Sequence, residues 1–352
     1  MQSERIKKIR IGTRSSNLAL KQVEEIINLL PENIETEIKK IDTSCDKDKI
    51  TPISEIEGTD FFTDSIDNAL LNDEIDIAVH SAKDLPDKIK NNLLVIAITK
   101  SISNYDVLVS KNNLKLDQLP KGAKIGVSSK RRKENIKNYR PDLKIVDIRG
   151  NIEERLSLVE EGKLDAVIVA EAALIRLGLK EKISERLPLE KFDTHPLQGS
   201  LAIVSKFDRE EFISFFTPFD IRKKVLFICI ENSCRSQIAE TLTNHIYWNK
   251  FFAYSAGSKP SGIVNPNAIE VLKERGIDIS NRKSKGFENI PKELKFDYVI
   301  TMGCGDECPF YPGAKRIEWQ IPDPKGKSLE FFRETLNLIE EKIKNFIQEV
   351  KI

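Results

Sequence analysis

One pattern constrains this chain more than any other: a short apolar strand, a turn of small and polar residues, then an amphipathic helix. It recurs at residues 8–30 (KIRIGTRSSNLALKQVEEIINLL), 124–136 (KIGVSSKRRKENI), 145–162 (IVDIRGNIEERLSLVEEG) and 225–240 (VLFICIENSCRSQIAE). Apolar strands alternating with helical stretches predict α/β architecture, with largely parallel sheets flanked by helices. Ligands in such folds bind at the carboxyl ends of the strands, so each turn marks a candidate site. Residues 75–86 (IDIAVHSAKDLP) add a strand that runs into a polar loop, and 165–170 (DAVIVA) a strand followed by a helix.

With 352 residues, 40% of them hydrophobic, the chain has room for two or three domains with real cores. Residues 207–224 (FDREEFISFFTPFDIRKK) mix aromatics, a proline and charges, and the main boundary is placed there. A formal net charge of +1 gives no case for nucleic acid or a membrane surface as partner. No apolar run approaches the roughly 20 residues of a membrane span, and the first ten residues lack the apolar segment of a signal peptide. A cytoplasmic protein is expected. Its five cysteines are an odd number, and structural disulfides are not expected. Four of them, Cys229, Cys234, Cys304 and Cys308, fall in the last third, which assigns thiol chemistry to one module.

Cys229 and Arg235 are spaced C-x5-R between a strand and a helix start. A loop there aims successive backbone N–H groups at one point and makes an anion nest. Those dipoles favour a thiolate at the base of the nest, and the thiolate is the nucleophilic form. The arginine can fold over the nest and hold two oxygens of a tetrahedral oxyanion. Asn232, Ser233, Cys234 and Ser236 complete the oxyanion loop as bracing groups and donors. Taken alone, C-x5-R is also what a buried cysteine followed by a surface arginine would look like.

More of the chain matches than the loop. Residues 224–352, with SAGSKPSGIVNPNAIEVLKERGIDISNRKSKG, FDYVITMGCGDECPFYPG and WQIPDPKGK, resemble the low-molecular-weight tyrosine phosphatase superfamily and, within it, the thiol-dependent arsenate reductases. The resemblance implies a four-stranded parallel sheet and makes Asp323 of the Asp-Pro segment the general acid. It implies arsenate or phosphate as ligand and, for a reductase, a thioredoxin- or small-thiol-type reductant. Ile230-Glu231 stands where the family commonly has Thr-Gly, and Lys325 stands where phosphatases usually carry a tyrosine. A reductase needs a second thiol to attack the sulfur–arsenic adduct, and Cys304 and Cys308 are spaced for that work, with Cys234 a further candidate. The alternatives are a protein-tyrosine phosphatase using Cys229, Arg235 and Asp323, or a metal site on Cys304 and Cys308. No second cysteine pair or nearby histidine supports a metal, and none is expected.

In the first two hundred residues the cations sit at turns: Arg14, Arg131, Arg132, Arg149 and Arg155, with Lys83-Asp84 at another strand end. Arginines converging with helix N-termini suit a ligand carrying several carboxylates. Residues 10–22, 75–86, 125–132, 148–156, 164–179 and 197–203 resemble, in order, the first two domains of porphobilinogen deaminase (hydroxymethylbilane synthase), a transferase of porphyrin biosynthesis. That resemblance implies two lobes like those of periplasmic binding proteins, about 1–98 plus 190–217 and about 99–189, ahead of the 222–352 domain. It implies that Asp84 stabilises the cationic pyrrole as ammonia leaves, and that Arg14, Arg131, Arg132, Arg149 and Arg155 hold acetate and propionate groups. It also implies that Lys83 and Ser129 help position the pyrrole chain. A porphobilinogen-like pyrrole is the expected ligand.

Departures from that family are equally specific. Its dipyrromethane cofactor hangs on a cysteine of a third domain in a Gly-Gly-Cys segment, and no Gly-Gly-Cys occurs here. Cys45, in IDTSCDKD, does not match the attachment motif. Two family lysines that serve the cofactor's carboxylates read Thr59 and Asp64, and an acid there would repel them. Three readings fit: a deaminase that obtains its third domain from a separate chain, a pyrrole-binding module without polymerising activity, and an eroded remnant. The retained arginines and Asp84 favour the first two.

Overall fold

The computed structural model describes residues 6–48, 51, 58–291, 294–303, 309 and 311–350. The chain forms two compact units, Met1–Asp87 with Ile98–Ser205, and Lys88–Ala97 with Lys206–Ile352.

In the first unit the predicted strand–turn–helix pattern becomes β1 (Lys8–Thr13) and α1 (Asn17–Ile27), followed by β2 (Glu35–Lys40), the one-turn α2 (Ser44–Lys47), α3 (Asp64–Leu71) and β3 (Ile77–Ser81). The fully buried strand β4 (Leu93–Ile98) falls mostly in the second unit. Then come β5 (Asp106–Ser110), β6 (Lys124–Val127), α4 (Lys130–Tyr139), β7 (Lys144–Asp147), α5 (Ile152–Glu160), β8 (Ala166–Ala170), α6 (Glu171–Leu177), β9 (Glu185–Arg186) and β10 (Leu201–Lys206). One sheet carries the order β2-β1-β3-β10, with β2 and β3 parallel to β1 and β10 antiparallel to β3. A second sheet runs β7-β6-β8-β5-β9, parallel through β7, β6 and β8 and antiparallel at β5.

The small residues of the turns become helix caps. Ser16 Oγ accepts from Ala19 N at 3.3 Å, Ser129 Oγ from Arg132 N at 3.3 Å, and Asn151 Oδ1 from Glu154 N at 2.7 Å, with Glu154 returning a bond to Asn151 N. Each cap satisfies an N–H that the helix leaves unbonded, worth about 1 kcal/mol. It also fixes where the strand hands over to the helix, and so where the adjoining arginine emerges.

The second unit continues through α7 (Glu210–Phe216), β11 (Lys223–Cys229), α8 (Arg235–Ile246), β12 (Phe251–Gly257), α9 (Pro266–Lys273), β13 (Tyr298–Thr301), β14 (Lys315–Glu318) and α10 (Leu329–Glu349). Its sheet is the expected four-stranded parallel one, ordered β12-β11-β13-β14. The closing helix α10 buries Phe332, Leu336, Ile339, Ile343 and Phe346, a three- and four-residue spacing that lays one face on the core. Phe346 stacks on Phe251 with ring centroids 5.1 Å apart.

Helix α8 is buried from Arg235 to His245, and several of its polar side chains find partners there. Asn244 exchanges two bonds with Ala253, and Glu240 sits between Arg282, Lys285 and Ser255. Among the described residues no helix is long and apolar enough to cross a membrane, and no cluster of three potential metal ligands occurs.

Candidate functional site

The sequence singled out two sites, and each is described within its own unit. In the second unit β11 ends at Cys229, and the chain turns through residues 230–234 into α8. The outward-facing carbonyls of the loop are taken: Cys229 O by Ser258 N, Ile230 O by Lys259 N, Glu231 O by Ser261 N and Ser284 Oγ, and Ser233 O by Asn265 N. The backbone N–H groups of Glu231, Asn232, Ser233, Cys234 and Arg235 donate to no other described residue. This division of labour leaves a ring of unspent donors at the mouth of a helix, and a tetrahedral oxyanion satisfies such a ring.

Asn232 holds the loop in shape. Its φ of +50° lies in the left-handed region, tolerated by asparagine better than by most residues. Its amide gives Nδ2 to Ser236 Oγ and Ser255 Oγ, both at 2.8 Å, and takes Gln237 Nε2 at 2.8 Å and Lys285 N at 2.9 Å on Oδ1. Gly257, paired with Cys229 in register, leaves the loop its space. A Cβ there would stand 2.7 Å from Ile230 O and 2.8 Å from Asn232 N.

Cys229 is 3% exposed, with Sγ 3.0 Å from Ser236 Oγ. Arg235, 5% exposed, gives Nη1 to Ile321 O at 3.1 Å and Nη2 to Asp323 Oδ2 at 3.0 Å. Its Nε is buried without a partner among the described residues, so one edge of the guanidinium remains available. Asp323 is half exposed and its second oxygen accepts from Lys325 N at 3.1 Å. Lys325 pairs with Glu231 of the loop. Burial pushes the Cys234 thiol up to about 11, against a smaller contribution from its bond to Ser233. Cys304 and Cys308 lie outside the described residues. Gly303, which precedes Cys304 in the chain, stands against Arg235: a Cβ on it would be 3.0 Å from Nη1.

In the first unit a cavity of about 1100 Å³ is lined by Arg14, Lys83, Asp84, Ser129, Arg131, Arg132, Arg149 and Arg155, the eight residues expected there. Four turns deliver them: those after β1, β3, β6 and β7. Several of these cations are already matched by acids. Arg14 is held by Asp46, Arg131 by Asp193, and buried Arg132 by Asp106 with bonds of 2.6 and 2.8 Å. Arg176, a further lining residue, is held by Glu25. Lys83, Arg149 and Arg155 have no carboxylate partner among the described residues. Lys83 bonds to Gln198 Oε1 at 3.1 Å, Arg149 to Asp48 O at 2.6 Å, and Arg155 to Gly150 O at 2.9 Å and Ser128 Oγ at 3.1 Å.

Burial, and then the charge of Arg132, lower Lys83 from its usual range and bring Arg155 down to about 10. A ligand with several carboxylates would supply what the cavity lacks. Asp64, expected to repel such a ligand, does not line the cavity. Its carboxylate is spent on Ser44 N and Oγ at the start of α2.

Sequence reasoning missed Asp46 and Asp106, which fix Arg14 and Arg132, and the lining residues Arg176, Gln198 and His80. Only the Asp directly after Cys45, in a turn following β2, was a local signal for any of these. The rest come from contacts 26 to 151 residues apart in the chain.

Residues 9–214 match the family model "Porphobilinogen deaminase, dipyromethane cofactor binding domain", and residues 224–352 the model "Low molecular weight phosphotyrosine protein phosphatase". The porphobilinogen deaminase of Natranaerobius thermophilus is 44% identical over 207 residues, covering 58% of this chain and 67% of that protein. That of Alkaliphilus metalliredigens is 45% identical over 196 residues, covering 55% and 62%. The chain thus spans about two thirds of the length of these curated relatives. A solved structure described as an arsenate reductase in the phosphate binding state is 38% identical, with a TM-score of 0.32, covering 36% of this chain and 98% of that one. The chain therefore belongs to the porphobilinogen deaminase family over residues 9–214, and joins to that part a domain of the low-molecular-weight phosphotyrosine phosphatase family.

Proposed function

We propose that the second unit reduces arsenate to arsenite by a thiol relay that begins at Cys229, and that the first unit binds a pyrrole bearing several carboxylates. The unspent N–H donors of the loop that follows Cys229, together with the unpartnered Nε of Arg235, carry the first reading. Arsenate oxygens accept from the ring and from the guanidinium. Sγ attacks arsenic and Asp323 gives a proton to the departing hydroxide, so water leaves and a sulfur–arsenic bond remains. Cys304 or Cys308 then attacks Sγ. The sulfur–sulfur bond forms, the sulfur–arsenic bond breaks, and its electron pair reduces As(V) to As(III). A dithiol reductant of thioredoxin type, or a small thiol, restores the cysteines. Reduction is favoured over ester hydrolysis by the two further thiols, Cys304 and Cys308, which the relay needs and hydrolysis does not.

The test separates the two chemistries. Replacing Cys304 and Cys308 together by serine is expected to stop arsenite formation while leaving hydrolysis of a small aryl phosphate intact, and Cys229→Ser to stop both. Full arsenate turnover by the doubly substituted chain would refute the relay.

For the first unit, the supporting observation is the trio Lys83, Arg149 and Arg155, unmatched by carboxylates around Asp84. The family model that matches this region is named for a dipyrromethane cofactor, and the acidic side chains of such a group are what these three cations lack, so the residues present fit it. When bound, that group supplies a nucleophilic pyrrole carbon. Lys83, Arg149 and Arg155 would hold carboxylates, and Asp84 would stand against positive charge on the pyrrole. Calorimetric titration with porphobilinogen checks the reading: binding by the native chain, weakened in Arg155→Ala, is expected, and no binding by the native chain would contradict it.

A further inference from the structure

Cys45 stands in the wall of the carboxylate-binding cavity, on α2. Its Sγ lies 3.9 Å from Arg14 Nη2 and 3.8 Å from Arg149 Nη2, between a cation already matched by Asp46 and one that is not. The turn that carries it is held firmly. Asp46 accepts from Thr43 N at 3.0 Å and Thr43 Oγ1 at 2.9 Å, and its other bonds go to Arg14. A thiol on a fixed turn inside a cationic cavity is placed as an attachment point rather than as a packing residue.

Independent observations indicate that something else belongs in this space. His80 is 5% exposed, lines the same cavity and has no partner for Nε2 among the described residues, and the buried Thr13 Oγ1 beside it in the lining is likewise unpartnered. Buried polar atoms left in this state cost about 1–3 kcal/mol each unless a ligand or water bonds them. Arg149 Nε is a third such atom. All three belong to residues that line the same cavity as Cys45, and so do Lys83 and Arg155, neither of which is ion-paired to a carboxylate among the described residues.

We propose that Cys45 is the covalent anchor for a pyrrole in this chain, an inference that rests on the pyrrole-binding reading of the first unit. Sγ bonds to the aminomethyl carbon of porphobilinogen, the carbon–nitrogen bond breaks, and the thiol proton leaves with the amine as ammonia. No oxidant or reductant is needed. Burial keeps the Cys45 thiol above its usual range, while Arg14 and Arg149 pull it back towards the nucleophilic thiolate. Arg149 and Arg14 flank the new thioether and are positioned to take the acidic side chains of the attached ring.

The test uses the full chain, reduced, incubated with porphobilinogen, then denatured and weighed intact, with peptide mapping of the product. The expected result is a mass gain of porphobilinogen less ammonia, or a multiple of it, on the peptide containing Cys45, and its loss in Cys45→Ser. Calorimetry on the native chain is run beside it. Binding without an adduct, or an adduct on another residue, overturns the anchor and leaves the binding reading standing. Absence of both binding and adduct overturns the two together.

Discussion

Arg235 and Lys83 each make a prediction. Arg235 presents a guanidinium edge to the oxyanion loop, and lysine cannot offer two parallel donors in that plane. Arg235→Lys is therefore expected to lower kcat/KM for arsenate by ~10²–10³-fold, the usual loss when one preorganised oxyanion donor is removed; initial rates of arsenite formation check it. Lys83 in the other unit is buried, and burial lowers its pKa. Carboxylates bound beside it would raise that pKa, so binding should take up protons. Affinity for porphobilinogen should then fall as pH rises from neutrality towards about 10, where Arg155 also begins to lose its charge. Calorimetry in buffers of different ionisation heat reads the uptake directly. Sequence position disclosed both residues, because each sits where a strand hands over to a helix. It did not disclose that Arg132 is occupied by Asp106, since 26 residues separate them and nothing local marks the pair.

At the scale of elements, the loop between β11 and α8 is a shape imposed by its neighbours. Asn232 makes four hydrogen bonds to hold it, and Gly257 leaves it room. Gly257→Ala would force a methyl against backbone atoms that cannot swing away, at a cost of about 1–3 kcal/mol. It is expected to weaken inhibition by phosphate with the rest of the domain still folded, measurable by inhibition constants and circular dichroism. Asn232→Gly keeps the left-handed backbone accessible and deletes the bracing, so it separates the two contributions. The strand–turn–helix units and the parallel sheet of the second unit were legible in the sequence, because apolar runs and caps are local signals. The bracing by Lys285 and Ser255 was not. It depends on segments brought in by the sheet.

For the whole chain, buried histidines contribute to the response to acid. His80 in the first unit and His245 in the second are held at about 4, chiefly by burial and secondarily by a nearby arginine, Arg14 and Arg282 respectively. His245 Nδ1 lies 3.1 Å from Ile89 O and ties the 88–97 segment into its unit. Because the folded constants lie below the unfolded 6.5, the unfolded chain binds more protons between those values. Stability is full above pH about 6.5 and is lost as pH falls towards about 4, by about 3 kcal/mol per histidine. Thermal melts across that range should show the loss, and His245→Gln should flatten it. The joining of two families in one chain was legible from the order of motifs. The surplus of unmatched cations and the placement of Cys45 were not, because they follow from which acids the fold brings to which arginines.

The central claim is that Cys229 begins a two-thiol reduction. Its most direct measurement is a single turnover: the reduced chain is mixed with arsenate and no external reductant, and arsenite and free thiols are counted together. The account predicts about one arsenite released and two thiols lost per chain, with neither change in Cys229→Ser. Hydrolysis of an aryl phosphate by the same preparation, with no arsenite formed and no thiol lost, would contradict it.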